Sequence, residues 1–186
     1  MRSKRALSSF EAESANVNFE RGTLEVGQTE KEVRIGIIGS GGIAGAHVES
    51  YKKLEGVRIA AVSDVVPGRA EEFIRRFGLE GAKPFLDYRA MLGLDLDGVS
   101  ICTYNAAHFQ PTVDSLRAGK HVLLEKPLSV TLAEGAEMVR ASRESGKILS
   151  VGFQSRYDEM IVTARRIVSA GELGRVYYME ISSGRR

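Results

Sequence analysis

The stretch Val33-Arg34-Ile35-Gly36-Ile37-Ile38-Gly39-Ser40-Gly41-Gly42-Ile43-Ala44 decides the reading of the fold. Its first half is a short, nearly continuous apolar run, the pattern of a parallel strand buried on both faces. Its second half, Gly39 to Ala44, fits the G-x-G-x-x-A form of a turn that joins a strand to a helix and cradles phosphate. In that form Gly39 makes the tight turn and Gly41 lets the backbone approach a pyrophosphate. Ala44 lets helix and strand pack closely. A helix opening near Gly42 offers unpaired N–H groups and the positive end of its dipole to the phosphates. Ser40 and Ile43 complete the candidate loop. Alone the motif is weak, because glycine-rich turns also serve purely structural ends.

Outward from this stretch, strand and helix signals alternate. Val57–Ser63 reads as a second strand, and Pro67 is placed to start a helix that runs to Phe77 and stops at Gly78. A short strand at Lys83–Phe85 and a small helix at Asp87–Leu92 follow. Gly98–Thr103 is the next strand, then a helix from about Ala107 to Ala118, then a strand at His121–Leu124. Thr131 and Glu134 have the spacing of a capping box for a helix ending near Ser145-Gly146, and Ile148–Val151 forms one more strand. This alternation predicts right-handed crossovers and a doubly wound parallel sheet, an α/β Rossmann fold over residues 32–152.

The two ends read differently. Residues 1–31 are polar and mixed in charge, and are expected to form a disordered arm. Residues 153–186 are expected to begin a second, α+β domain and to leave it incomplete. They hold a helix at Met160–Ala170 and an alternating strand at Arg175–Ile181, after which the sequence stops at Arg186. An exposed edge of strong β-formers would favour self-association through residues 175–181.

Composition excludes several classes. Lys and Arg number 26 against 24 Asp and Glu, and the charges are interspersed, so no nucleic-acid or acidic-membrane partner is indicated. No apolar run approaches a membrane span, and the basic start (Arg2, Lys4, Arg5) lacks the hydrophobic core of a signal peptide. A cytoplasmic location is expected. The single cysteine, Cys102, lies in an apolar strand and reads as a small buried hydrophobe. No metal site is expected.

Candidate binding residues gather at strand ends, where open parallel sheets hold ligands. Asp64 closes the second strand at about the ~20-residue spacing after Gly41 expected of a ribose-binding acid. Such a carboxylate accepts the adenosine ribose hydroxyls and repels a 2′-phosphate, and Val65 and Val66 supply no cation, so NAD is favoured over NADP. Asp64 is also compatible with a helix cap or with another Rossmann ligand such as S-adenosylmethionine. Beyond the fourth strand stand Thr103, Tyr104, Asn105 and His108, where Tyr104 could lie against the adenine or the nicotinamide ribose. Taken singly, His108 reads as a helix-start or surface histidine. Glu125-Lys126-Pro127 ends the fifth strand. An ammonium there can polarise a substrate hydroxyl, although from three residues alone Lys126 reads as a surface lysine in a turn. A cis bond before Pro127 would aim that lysine inward.

Four segments together resemble the Gfo/Idh/MocA oxidoreductases. They are Ile35 to Ala44, Ala61-Val62-Ser63-Asp64, Ala118-Gly119-Lys120-His121-Val122-Leu123-Leu124-Glu125-Lys126-Pro127-Leu128-Ser129, and Val151-Gly152-Phe153-Gln154-Ser155-Arg156-Tyr157. The third is the most specific. The resemblance covers about residues 33–184. It implies a Rossmann domain followed by an α+β domain, with hydride transfer between a nicotinamide and a hydroxyl-bearing carbon of a sugar or cyclitol. It also implies that Lys126 is the active-site lysine and Asp64 the ribose-binding acid, and that His108 matches a histidine of the loop after the fourth strand. Two departures stand out. Members commonly carry proline where this chain has Tyr104. They also usually run much longer and take a general base, the histidine of an Asp-x-x-x-His pattern, from the second domain. The resemblance therefore implies a dehydrogenase whose active site these 186 residues complete only in part. The alternative is a truncated product that binds NAD without catalysis.

Overall fold

The structure, a computed structural model, describes residues 32–182. The expected N-terminal arm lies outside the described residues. Six parallel strands form one sheet in the order β3-β2-β1-β4-β5-β6. They are β1 (Val33–Ile38), β2 (Val57–Ser63), β3 (Lys83–Phe85), β4 (Gly98–Ile101), β5 (His121–Leu124) and β6 (Leu149–Val151). The order reverses between β1 and β4, the switch point where such sheets open a crevice beyond their carboxyl ends. β1 pairs on one side with β2, Val33 opposite Val57, and on the other with β4, Ile35 opposite Gly98.

Helices cover the sheet on both faces. On one, α1 (Gly42–Tyr51) and α2 (Arg69–Phe77) bury Ala44, Val48 and Phe73 against Ile37, Ile59 and Val62. On the other, α3 (Tyr88–Leu92), α4 (Phe109–Arg117) and α5 (Leu132–Ser145) bury Met91, Leu116 and Met138 against Val99, Ile101 and Leu124. A strand that buries both faces is mostly apolar, and β1 and β4 are so apart from Arg34 and the hydrogen-bonded Ser100. The capping box of α5 is present, with the Thr131 hydroxyl accepting from the Glu134 N–H and the Glu134 carboxylate accepting from the Thr131 N–H.

Three boundaries differ from expectation. α2 starts at Arg69 rather than at Pro67, because Gly68 stands before it at a φ of 79°, outside helical geometry. Ahead of α4, residues Asn105–Ala107 form a single 3-10 turn. The strand expected at Arg175–Ile181 is absent. Those residues are exposed and pair with nothing among the described residues. Strand propensity expresses fit to a pleated, half-buried surface, and no neighbouring strand provides one here. Before them come a 3-10 turn at Gln154–Tyr157 and α6 (Glu159–Ser169), which buries none of its residues. Among the described residues no helix is long and apolar enough to cross a membrane.

Candidate functional site

The glycine turn is built by close contact between two strand ends. Gly39 has a φ of 88°, and a Cβ there would fall 2.9 Å from the Cys102 carbonyl carbon. Only glycine meets both demands, so β1 and β4 come together where the chain leaves the sheet. At Gly41 and Gly42 an added Cβ would meet nothing within 4 Å. The space before the first turn of α1 is open. That turn has no side-chain cap and no acidic residue, so its N–H groups face the opening without an internal anion. A pyrophosphate fits this cradle in charge and in shape.

Asp64 stands beside it and is buried. Its Oδ2 accepts hydrogen bonds from the Ser40 N–H at 3.0 Å and the Ser40 hydroxyl at 2.6 Å, and its Oδ1 accepts from the Val66 N–H at 3.0 Å. Burial alone would raise the carboxyl, but these hydrogen bonds and the Arg69 guanidinium more than offset it and hold the group below its ordinary value. The acid is therefore ionised and fixed, with one lone pair of Oδ1 still open. Ser40, expected at the cofactor, instead turns its hydroxyl to Asp64 and sets the carboxylate in place.

A cleft of about 600 Å3 opens in front of these groups. It brings together Gly39, Gly41, Asp64, Thr103 and Tyr104 of the expected set. Tyr104 is 74% exposed on its rim, free to lie against a planar ligand. The cleft adds Arg69 and Arg89, which linear spacing did not reveal. The Arg69 guanidinium, from the first turn of α2, lies 4.0 Å from Asp64 Oδ1.

A second hollow of about 310 Å3, between α1 and the ends of β5 and β6, takes Ile43 and Glu125 of the expected set. Here the structure shows a buried polar network that the sequence reading missed. The Glu125 carboxylate meets His47 Nε2 at 2.9 Å, while His47 Nδ1 and the Tyr51 hydroxyl meet the Ser100 hydroxyl at 3.3 and 2.6 Å. His47 and Tyr51 lie one turn apart on α1, which was their only linear signal.

The remaining expected residues are placed as follows. Gly42 and Asn105 are exposed at the strand-end surface and line neither hollow. His108 is fully buried, contrary to a surface position, with Nδ1 2.8 Å from the Pro127 carbonyl and Nε2 3.2 Å from the Thr103 carbonyl. It ties the two strand-end loops together and does not face the cleft. Lys126 is exposed, and among the described residues nothing takes up its ammonium. Its N–H donates to Glu125 Oε2 at 3.3 Å, and the bond to Pro127 is cis.

Comparison with known proteins fits this geometry. The sequence pattern of the Gfo/Idh/MocA oxidoreductase family, described by its NAD-binding Rossmann fold, matches residues 33–153. The chain belongs to this family. Family relatives include the inositol 2-dehydrogenase of Salmonella typhimurium, 35% identical over 146 residues that make up 77% of this chain and 43% of that protein. Among solved structures, the scyllo-inositol dehydrogenase of Lactobacillus casei with NAD(H) and scyllo-inositol superposes with a TM-score of 0.71 at 26% identity. The match covers 77% of this chain and 43% of that one. The WlbA dehydrogenase of Bordetella pertussis with NADH and UDP-GlcNAcA gives 0.74 at 26%, over 79% and 45%. The chain thus spans less than half the length of the family members it matches.

Proposed function

We propose that this chain binds NAD(H) in the larger cleft and presents Lys126 to the hydroxyl of a sugar or cyclitol, as the cofactor-holding half of a dehydrogenase. The carrying observation is the joint placement of an open glycine turn and a fixed, ionised carboxylate on one cleft wall. The turn supplies N–H donors for a pyrophosphate, and Asp64 Oδ1 supplies an acceptor for a ribose hydroxyl. Preference for NAD over NADP rests on the negative charge of Asp64. The bound nicotinamide would supply the hydride chemistry, and the protein would position and polarise. Lys126, exposed just past the end of β5 and one strand over from the switch point, would donate to the reacting hydroxyl and lower the cost of its ionisation.

A proton acceptor is a separate requirement. His47 is engaged by Glu125 and His108 by two carbonyls, so neither is free for that role. We therefore expect the 186 residues alone to bind cofactor but turn over little, and propose that residues 153–186 belong to the start of a substrate domain. Steady reduction of NAD with a panel of cyclitols and aldoses would contradict this.

Titration of NADH fluorescence on the purified chain tests the binding. Saturable binding is expected, weakened about 10- to 100-fold by Asp64→Ala, the size of a lost hydrogen bond to a charged group. Absence of binding by the unaltered chain refutes the proposal.

A further inference from the structure

Two enclosed histidines end on the turn that carries Lys126. His108 Nδ1 meets the Pro127 carbonyl, and His47 Nε2 meets Glu125 Oε1 at 2.9 Å. The side chains of His47 and Glu125 are only 10% and 7% exposed. A carboxylate only accepts, so Nε2 carries the proton and donates it. Glu125 Oε2 takes the Lys126 N–H, and among the described residues His47 is the one side-chain donor to this carboxylate. A neutral ring then leaves Nδ1 as an acceptor. The Ser100 hydroxyl fills it at 3.3 Å, and the Tyr51 hydroxyl in turn donates to Ser100 at 2.6 Å. Each proton in this chain has one direction, and the ring is fixed by it.

Stability does not account for the pair. A buried carboxylate and imidazole add little over apolar side chains of the same volume, because desolvation offsets their attraction. The fold nevertheless makes room for it, since a Cβ on Gly152 would fall 3.2 Å from Glu125 Oε1. What the pair does is join two elements. α1 opens the phosphate cradle, and the turn after β5 carries the ammonium. Among the described residues no other side-chain hydrogen bond links them.

We infer that His47 is a positioning residue: by donating to Glu125 it fixes the separation between the phosphate cradle of α1 and the Lys126 ammonium. This rests on the dinucleotide and lysine reading above. A dinucleotide anchored by its pyrophosphate carries its nicotinamide a set length away, and the hydroxyl that Lys126 polarises must sit where that length ends. Reacting atoms have to approach within ~3–3.5 Å, and a misplacement of about 1 Å can cost ~100-fold in rate. Without His47 the carboxylate turns to find another donor, and the Lys126 N–H that it holds moves with it.

NMR of the full chain with isotope-labelled methyl groups on its lysine amines, which keep their charge, tests this. Lys126→Arg identifies the Lys126 signal. In the unaltered chain, saturation with NADH should shift that signal. If NADH binds and the signal stays, the Lys126 reading fails and this inference with it; if NADH does not bind, the dinucleotide reading fails as well. His47→Leu should abolish most of the shift. It should change the NADH affinity read by fluorescence by no more than about twofold, the coupling expected between sites with no shared partner. His47→Gln, whose amide can donate to Glu125 as Nε2 does, should restore the shift. A full shift in His47→Leu overturns the inference, and so does a shift that stays lost in His47→Gln. Loss of NADH binding in His47→Leu overturns it too, because His47 would then serve the cradle rather than the lysine. Should His47→Leu not fold, nitrogen NMR of the unaltered chain decides: His47 Nε2 should carry a proton, and a bare Nε2 overturns the inference.

Discussion

Asp64 shows how a buried acid stays ionised. Desolvation works against its charge, and donors from Ser40 and Val66, with the nearby positive charge of Arg69, more than compensate, leaving its folded-state value depressed. A depressed carboxyl contributes stability that is present above its unfolded value, about 3.9, and is lost as pH falls through the folded one. The melting temperatures of the unaltered chain and Asp64→Asn should therefore differ by a constant amount at neutral pH. That difference should shrink below about pH 4. A difference that grows on acidification would contradict the hydrogen-bond account. Cys102 is the opposite case. Burial, with a smaller contribution from the Glu125 charge, pushes its thiol up to about 12. The thiol stays protonated and enclosed, so the native chain should react slowly with a disulfide reagent and rapidly once unfolded. Fast labelling under native conditions would show that the β4 end opens. At this scale the sequence exposed some roles and hid others. Gly39, Gly41 and Asp64 stand in a spacing that nucleotide-binding turns require. His47 and Glu125 are 78 residues apart and meet only because the fold brings the middle of α1 to the residue that follows β5. Arg69 escaped notice because the cation lies a helix start away from Val65 and Val66, not next to the acid.

Among the elements, α5 was legible from end to end. Thr131 and Glu134 announce its start, Gly146 takes a left-handed φ at its close, and Met138 and Ala141 are buried on one face. Thr131→Ala should cost ~1 kcal/mol, read from urea unfolding, as expected for a lost N-cap. Met138→Ala should cost more, ~2–5 kcal/mol, because Met138 is wholly enclosed beneath the helix. If the two losses were equal, the packing of α5 would be looser than the structure indicates. The stretch 175–181 was misread for a physical reason. Val176, Tyr177, Tyr178 and Ile181 favour strands, but a strand is a relation between two segments, and local sequence reports only one of them. The same limit applies to α2, whose start depends on the backbone turn at Gly68 more than on the preference of Pro67 for a first turn.

For the whole molecule, the sheet and its five covering helices form the cooperative unit, while α6 buries nothing in it. Removing residues 158–186 should shift the melting temperature by no more than about 2–4 °C, the effect of roughly 1 kcal/mol in a domain of this size. A collapse of the transition would show that α6 supports the sheet. The strand order has a further consequence for how the protein is made. β1 is synthesised first yet sits at the centre, and one of its partners, Gly98–Ile101, comes far later in the chain. At ~5–20 residues per second, the apolar edge of β1 waits several seconds on the ribosome for its neighbour. Nascent chains halted before residue 98 should be captured by chaperones that bind exposed hydrophobic segments, and chains halted long after Leu124 has emerged should be released.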